Sequence, residues 1–283
     1  MEKQLIDGLY GLVGYPVKHS FSPSMHNAAF KHLGIASEYR LFEKKAEELD
    51  VFFSLLPEHS IRGLNVTIPY KETVKKFITK FTEEAFLIGA VNTVKIEGKE
   101  RIGHNTDGIG FLRHLSEVFT GDFSSGVVAL LGAGGAAKAV AKSLAKNGSN
   151  EIVIFDIQKE KAENLSGEIN NLFGPFRSRV AERVEELTEV EPRIFINATP
   201  VGMKEEDVLL IDPKTFSLRT FVYDLIYNPS ETVLLRAARE RGCRCSNGLG
   251  MLLYQGVESF KFWTGTEAPV EIMRNALESA VKK

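Results

Sequence analysis

At 283 residues, and with about 150 residues to a domain, the chain is long enough for two domains that each bury a core, and too long for a single small module. Its 35 Lys and Arg against 37 Asp and Glu leave a formal charge of -2, with no basic excess to displace counterions, which excludes a nucleic-acid partner. A composition of 43% hydrophobic and 25% charged residues is that of an ordinary globular protein and excludes a disordered one.

Short β-rich runs alternate with helical patterns, the sign of sheets covered by helices. Residues 10–15 (YGLVGY) predict a strand, 22–32 a helix, 37–42 a strand and 46–55 a helix. A third strand is expected over 63–68 (GLNVTI) and another helix over 71–81. Residues 91–102 read as a hairpin turned at Glu97-Gly98-Lys99, so this first unit mixes strand directions. A helix over 107–118 leads to the loop 120–126 (TGDFSSG), whose Gly and Ser content suits a linker or a tight surface connection at a domain boundary. Residues 127–131 (VVALL) are apolar without alternation, as in a parallel strand buried on both faces. Strands at 151–155, 193–197 and 221–225, with helices between them, make the second unit doubly wound. Helices over 249–264 and 270–281 end the chain, and periodicity does not reveal where they go. Cys243 and Cys245, one residue apart, suit neither a disulfide framework nor a zinc site and are expected as buried strand residues.

After VVALL comes Gly132-Ala133-Gly134-Gly135-Ala136-Ala137 and then a helical run over 138–146. In this strand, turn and helix context Gly132 permits the tight turn, Gly134 lets the backbone approach a pyrophosphate, and Ala137 allows close helix packing. The helix N-terminus then faces the phosphates. The next strand, EIVIF, ends in Asp156, about where such a fold places an acid for the adenosine ribose. Dinucleotide binding follows. A carboxylate accepts two ribose hydroxyls but repels a 2′-phosphate, and Ile157 beside it is not an arginine, so of NAD and NADP the charge favours NAD.

In the first unit, polar groups gather in Ser20-Phe21-Ser22-Pro23, in the run from Asn65 to Lys71, in Asn92-Thr93 and in Asn105-Thr106-Asp107. Singly they have ordinary explanations: Ser22 before Pro23 suits a helix cap, Lys71 a solvated helix residue, Asp107 another cap. Together they suit carbonyl reduction, which needs a proton donor at the oxygen and groups that hold the substrate. Lys71 beside Asp107 supplies a cation that stabilises an alkoxide and delivers a proton; Ser20, Ser22, Thr67 and Asn92 supply the rest.

The segments GYPVKHSFSPSMHN, GLNVTIPYK, GAVNT, NTDGIGF, GAGGAA, NATPVGM and GMLLYQG occur in the order seen in shikimate dehydrogenases, and the chain resembles that family over nearly its whole length. The resemblance implies reversible reduction of 3-dehydroshikimate to shikimate with a nicotinamide cofactor, a step of aromatic amino-acid synthesis. It implies that Ser20 and Ser22 hold the substrate carboxylate with help from Tyr227. Thr67, Lys71, Asn92, Asp107 and Gln255 would surround the ring hydroxyls and the reacting oxygen, with Lys71 as acid and base. For the cofactor it implies Gly132, Ala133, Gly134, Gly135 and Ala136, Asp156, Glu83, Leu225 against the nicotinamide, and Gly248. It also implies an α/β protein of two domains. A mixed-sheet substrate and catalytic domain takes residues 1–107 and 250–283, so that the last helices return to it, and a Rossmann-type dinucleotide domain takes 108–249.

One departure matters. NADP-dependent members of the family usually carry Asn-Arg-Thr where this chain has Asp156-Ile157-Gln158, which agrees with the charge reading in favour of NAD. An NAD-dependent quinate/shikimate dehydrogenase is the alternative, although the serine pair leans towards shikimate. A non-catalytic cofactor-binding regulator would predict a degraded acid/base pair, and Lys71 and Asp107 are both present.

His19, His26, His32, His59, His104 and His114 form no ligand spacing on one helix face, so no metal is expected, and the GxSxG of a serine hydrolase is absent. No apolar run reaches the ~18 residues of a membrane span and the opening MEKQLIDG lacks the apolar core of a secretory signal. A cytoplasmic monomer or homodimer with a small-molecule substrate and no membrane partner is expected.

Overall fold

The computed structural model describes residues 8–204 and 206–282, the side chains of 57 and 58 excepted; the opening segment read for a secretory signal lies, through residue 7, outside them. The chain forms two compact units, one of residues up to Gly110 together with those from Leu252 onward, the other Phe111–Met251. Among the described residues no helix is long and apolar enough to cross a membrane.

In the first unit β1 (Gly8–Gly14) is followed by α1 (Ser22–His32), β2 (Ser37–Glu43), a short 3-10 turn leading into α2 (Leu49–Ser54), and β3 (Ile61–Val66). Then come β4 (Lys80–Phe81), α3 (Glu83–Ile88), β5 (Thr93–Glu97), β6 (Glu100–His104) and the start of α4 (Asp107–Val118). Six strands make one sheet in the order β2-β1-β3-β5-β6-β4. β1 pairs in parallel with β2 and β3, while β5 is antiparallel to both β3 and β6, the mixture the hairpin foretold. In that hairpin Glu97 pairs with Glu100, so the turn is Gly98-Lys99, and Gly98 takes a φ of 60° that the turn requires.

The expected helix over 71–81 does not form. Only Thr73–Phe77 makes a 3-10 turn, because the amides of Thr79 and Thr82 donate to the Arg101 and Gly103 carbonyls and Lys80-Phe81 joins the edge of β6. Unfilled hydrogen-bonding positions on that edge, with Val74, Ile78 and Thr79 suited to strand or turn, outweigh the helical spacing.

One face of this sheet buries Val13, Leu64, Val66 and Val94 against Phe52, Phe53, Leu56, Tyr70 and Val74. The other is aromatic: Tyr10 lies 5.0 Å from Phe30 and 5.2 Å from Trp263, whose indole donates to the Val94 carbonyl at 3.0 Å. Trp263 belongs to α9 (Leu249–Thr264), and α10 (Val270–Val281) packs on α1, so both C-terminal helices complete the first unit. What periodicity left open is decided by this aromatic face, where Trp263 and Phe260 of α9 pack with Tyr10 and with Phe30 of α1.

His26 stands in that layer, stacked on Tyr39 at 4.4 Å, fully buried, with neither ring nitrogen bonded among the described residues. Desolvation penalises its cation and pushes its pKa down from 6.5 to about 3. The unfolded chain takes up a proton near pH 6.5 and the folded chain only near 3, so this contribution to stability is complete above 6.5 and is lost as pH falls through that window. Relative to His26→Leu, the unfolding free energy of the native chain should fall by up to ~3 kcal/mol between pH 7 and pH 4 in urea titrations. Parallel pH courses for the two proteins would show that His26 is not a source of acid lability.

The second unit runs β7 (Val127–Leu131), α5 (Gly135–Lys146), β8 (Glu151–Phe155), α6 (Lys159–Phe173), β9 (Ser178–Val180) and α7 (Glu186–Glu189). It continues with β10 (Ile194–Asn197), β11 (Phe221–Asp224), α8 (Val233–Arg241) and β12 (Cys245–Ser246). Every pairing is parallel and the order is β12-β11-β10-β7-β8-β9, two three-stranded halves meeting where β7 adjoins β10. This is the Rossmann order, with its switch point between those strands. VVALL is buried on both faces as expected: Val128 and Leu130 join Phe111, Val140 and Leu144 in one layer, while Ala129 and Leu131 join Phe195, Val222 and Leu234 in the other. A side chain such as Leu130, removed wholly from water, contributes roughly 2 kcal/mol.

Two expectations need correcting here. The loop 120–126 is no boundary; it lies inside the second unit, folded on Asp122, which accepts from the Ser124 amide and hydroxyl. The unit boundary falls instead within α4 and α9, where continuous helical hydrogen bonding gives no compositional sign. Cys243 is buried but precedes the strand, and Cys245 is in β12 but half-buried; both are free thiols. β9 and β12 are too short to show in the sequence.

Candidate active site

Lys71 and Asp107 meet in the first unit. Lys71 follows β3 through the turn Thr67–Tyr70, and its carbonyl accepts the Val91 amide at 2.7 Å, which fixes the backbone beside the β5 entry. Asp107 opens α4, and its amide donates to the Asn105 side chain, itself tied to the Ala90 carbonyl. Lys71 Nζ lies 2.6 Å from Asp107 Oδ2, with the two side chains 17% and 5% exposed. The second carboxylate oxygen accepts from Asn92 Nδ2 at 2.8 Å. Neither ordinary reading of these residues survives: the ammonium is held, not solvated, and the carboxylate is spent on Lys71 and Asn92. Partial burial makes each charge dependent on the other, since removing one leaves the other uncompensated. The ammonium has no other protein acceptor among the described residues, so it keeps protons for a substrate oxygen.

Asn92 is held from the other side too. Its Oδ1 accepts from the Thr106 amide at 2.8 Å and the Thr93 hydroxyl at 2.9 Å, and its Nδ2 also donates to Thr106 Oγ1 at 2.9 Å. Asn65, Thr93, Thr106 and Ser259 complete a buried polar cluster under the pair. Asn65, Thr93 and Thr106 stand among the polar segments of the sequence but carried no assigned role, and Ser259 was missed. Its only signal is a small polar residue four places after Gln255, one helical turn on.

Ser20 and Ser22 lie together, their hydroxyls 3.2 Å apart, with the Ser22 amide donating to Ser20 Oγ at 3.3 Å. Ser22 is not the helix cap: Phe21 holds that position and no side chain caps α1. The Ser22 amide is taken by Ser20, Pro23 has no N–H and the Ser24 amide donates to the Phe21 carbonyl, so the Ser22 hydroxyl is the donor left for a carboxylate. A cleft of about 490 Å³ opens beside them between α1 and α10, and of the candidate residues only Ser20 lines it. Thr67 is anchored by its backbone, amide to the Val13 carbonyl and carbonyl from the Tyr70 amide. Gln255 stands on the α9 part of this unit, its Nε2 donating to the Leu252 carbonyl. Gly110 approaches so closely that an added Cβ would lie 2.6 Å from the Gln255 nitrogen, which brings α9 against the start of α4. Glu83 is exposed on the first turn of α3, capped by Thr82. Among the described residues no group of three His, Cys, Asp or Glu could hold a metal.

In the second unit the glycine loop follows β7 at the switch point. Gly132 has a φ of 105°, and a Cβ there would press on Thr199 and Ala198 at 3.0 to 3.1 Å, so glycine is required by the protein itself. Gly134 differs: a Cβ there would meet nothing within 4 Å, so the protein leaves open the space that a side chain would take from a bound group. Gly135 and Ala136 begin α5, whose first amides have no intrahelical acceptor. Asp156 ties the loop to the end of β8, its Oδ2 accepting from the Ala133 amide and its Oδ1 from the Gln158 amide, both at 2.8 Å. Each oxygen keeps a lone pair for a ribose hydroxyl. These residues fit a dinucleotide: a cradle of amides for phosphate and an acid beside it for a ribose.

Leu225 and Gly248 meet at the end of β11, where a Gly248 Cβ would fall 2.1 Å from the Leu225 carbonyl oxygen, leaving no room for any side chain. Asp224, fully buried beneath them, accepts from Asn197 Nδ2, the Thr232 hydroxyl and the Ile226 amide, and among the described residues it has no cationic partner. Burial pushes its carboxyl up to about 6. Neither Asn197 nor Asp224 was singled out beforehand, although each is a polar residue ending an apolar strand. Tyr227 follows on the same loop, half-buried, its phenol pushed up by desolvation.

Comparison with known proteins finds relatives over nearly the whole chain. Residues 12–94 match the model of the shikimate dehydrogenase substrate binding domain, and 248–278 that of the shikimate 5'-dehydrogenase C-terminal domain. The chain is 44% identical over 281 residues to the shikimate dehydrogenase (NADP(+)) of Methanocaldococcus jannaschii, covering 96% of this chain and 97% of the other. A crystal structure of a shikimate dehydrogenase in complex with NADP+ is similar at a TM-score of 0.88 and 42% identity, covering 98% and 96%. The shikimate 5-dehydrogenase of Listeria monocytogenes, in complex with shikimate and NAD, is similar at a TM-score of 0.85 and 38% identity, covering 95% and 96%.

Proposed function

The chain belongs to the shikimate dehydrogenase family, and on that premise we propose that it interconverts 3-dehydroshikimate and shikimate, with Lys71 as acid and base. The observation that carries this reading is the 2.6 Å contact of Lys71 Nζ with Asp107, itself oriented by Asn92. A nicotinamide cofactor, when bound, supplies the hydride that reduces the carbonyl carbon. Lys71 supplies the proton to the carbonyl oxygen and stabilises the charge that builds there; in the oxidation of shikimate it accepts the hydroxyl proton. Asp107 holds the amine in place, so the proton is delivered from a fixed position. Ser20 and Ser22 hold the substrate carboxylate together with Tyr227, while Thr67, Asn92 and Gln255 hold its hydroxyls. The loop Gly132 to Ala136, Asp156, Leu225, Gly248 and Glu83 hold the cofactor.

For the choice of cofactor, charge favours NAD. Asp156 offers a carboxylate where a 2′-phosphate would sit, and the nearest cation, Lys159, is engaged with Glu182 at 2.7 Å and Glu163 at 3.8 Å. Relatives named for NADP and one crystallised with NAD support a family that uses either.

The test is absorbance at the reduced-nicotinamide band with shikimate or quinate, each supplied with NAD or NADP. Shikimate with NAD should give the highest kcat/KM. Cofactor binding without turnover of either acid would remove the catalytic reading and favour a regulator.

A further inference from the structure

Ser259 sits at the centre of the buried cluster beneath the Lys71–Asp107 pair, with no exposure to solvent. Its hydroxyl donates to the Gln255 carbonyl at 2.8 Å, which commits its single proton. The oxygen is left to accept with its two lone pairs, from Asn65 Nδ2 at 2.9 Å and from the Thr106 hydroxyl at 3.1 Å; Thr93 Oγ1 stands 2.8 Å away with its proton on Asn92 Oδ1. These threonines are the same two that bracket the Asn92 amide: Thr93 faces its Oδ1 at 2.9 Å and Thr106 its Nδ2 at 2.9 Å. The orientation of that amide matters, because Nδ2 is the group that meets Asp107 Oδ1; turned over, Asn92 would present an oxygen to a carboxylate.

We infer that Ser259 is a positioning residue for the proton-transfer pair: by accepting the Thr106 proton it leaves a Thr106 lone pair on Asn92 Nδ2, which holds Asn92 so that Asp107 keeps Lys71 in place. The chain of contacts is continuous from α9 through Thr106 and Asn92 to Asp107 and the reacting amine, and every member below the pair is buried. In Ser259→Ala the Thr106 hydroxyl loses its acceptor and turns its proton to Asn92 Oδ1, already 3.2 Å away, which takes its lone pair off Nδ2 and loosens the group that meets Asp107. The fold loses little, since alanine is favourable within a helix. This inference rests on the proposed role of Lys71.

The experiment compares Ser259→Ala, Thr106→Val, their double variant and Lys71→Ala in shikimate oxidation. Ser259→Ala should lower kcat about tenfold, leave KM for the nicotinamide cofactor within twofold, and raise the solvent deuterium isotope effect on kcat, because a displaced amine makes proton transfer more limiting. A change that merely loosened the core would not raise that isotope effect. Because both residues act through one hydrogen bond, the double variant should lose no more than the larger single loss. Unchanged kcat and isotope effect in Ser259→Ala, or multiplicative losses in the double variant, would overturn the relay while a dead Lys71→Ala left the catalytic reading standing. Normal turnover of Lys71→Ala would overturn that reading itself. If Ser259→Ala failed to fold, Thr106→Val alone would decide: unchanged kcat rejects the relay and a tenfold loss supports it.

Discussion

Lys71→Ala should lower kcat for shikimate oxidation about a thousandfold while KM for shikimate rises less than tenfold. The size follows from the role. General acid–base catalysis by a positioned group is worth roughly 10² to 10⁴ in rate, and nothing else near Asp107 can take the proton, since Asn92, Thr93 and Thr106 are amide and hydroxyl groups. Substrate would still be held by its carboxylate and its other hydroxyls, which explains the smaller change in KM. The fold should persist, although the Asp107 carboxylate loses its cation, because Asn92 still donates to it; circular dichroism and thermal unfolding check this. A small primary amine such as ethylamine, diffusing into the space left by the side chain, should restore part of the rate, more so as pH rises and more of it is neutral. Turnover within threefold of the native chain would remove Lys71 from the chemistry, and a dead variant that no amine rescues would make its role one of binding.

The pieces of the site that the sequence disclosed are those set by local chain geometry. The strand VVALL, the tight turn at Gly132 and the helix after it are neighbours in sequence, and the structure has them with the same bounds to within three residues. Helices Ser22–His32, Asp107–Val118, Leu249–Thr264 and Val270–Val281 are likewise where their periodicity puts them. The structure added what depends on distant pairing. Residues 71–81 look helical alone, and only the edge of β6, about 20 residues on, draws Lys80-Phe81 into a strand and leaves Thr73–Phe77 a 3-10 turn. Ser259 cannot be connected with Asn92 by any local rule: its neighbours Asn65, Thr93 and Thr106 come from three separate segments. Asp156 was legible as an acid at a strand end, yet its grip on the Ala133 amide shows a second duty, holding the glycine loop to β8, that spacing alone did not disclose.

That second duty shapes the substitution that should redirect the cofactor. Asp156→Ala would remove the repulsion of a 2′-phosphate but also the acceptor for Ala133, so lost affinity for both cofactors would obscure the change. Asp156→Asn keeps an oxygen for the Ala133 amide while discharging the site. Ile157 is 89% exposed at the end of β8, so arginine fits there without repacking the core, and its guanidinium can meet a phosphate by two parallel hydrogen bonds. Hydrogen bonds to a charged group are each worth about 1.5 to 3 kcal/mol, and losing the carboxylate's repulsion adds to this; about 3 kcal/mol in all corresponds to a hundredfold or somewhat more. In the double variant Asp156→Asn, Ile157→Arg, the ratio of kcat/KM for NADP to that for NAD should therefore rise at least a hundredfold. The loss with NAD should stay within tenfold, because Asn still offers one acceptor to the ribose. Ile157→Arg alone should show a smaller rise, with the Asp156 carboxylate next to the new cation drawing it away from the phosphate. An unchanged ratio in the double variant would place control of cofactor choice outside the end of β8.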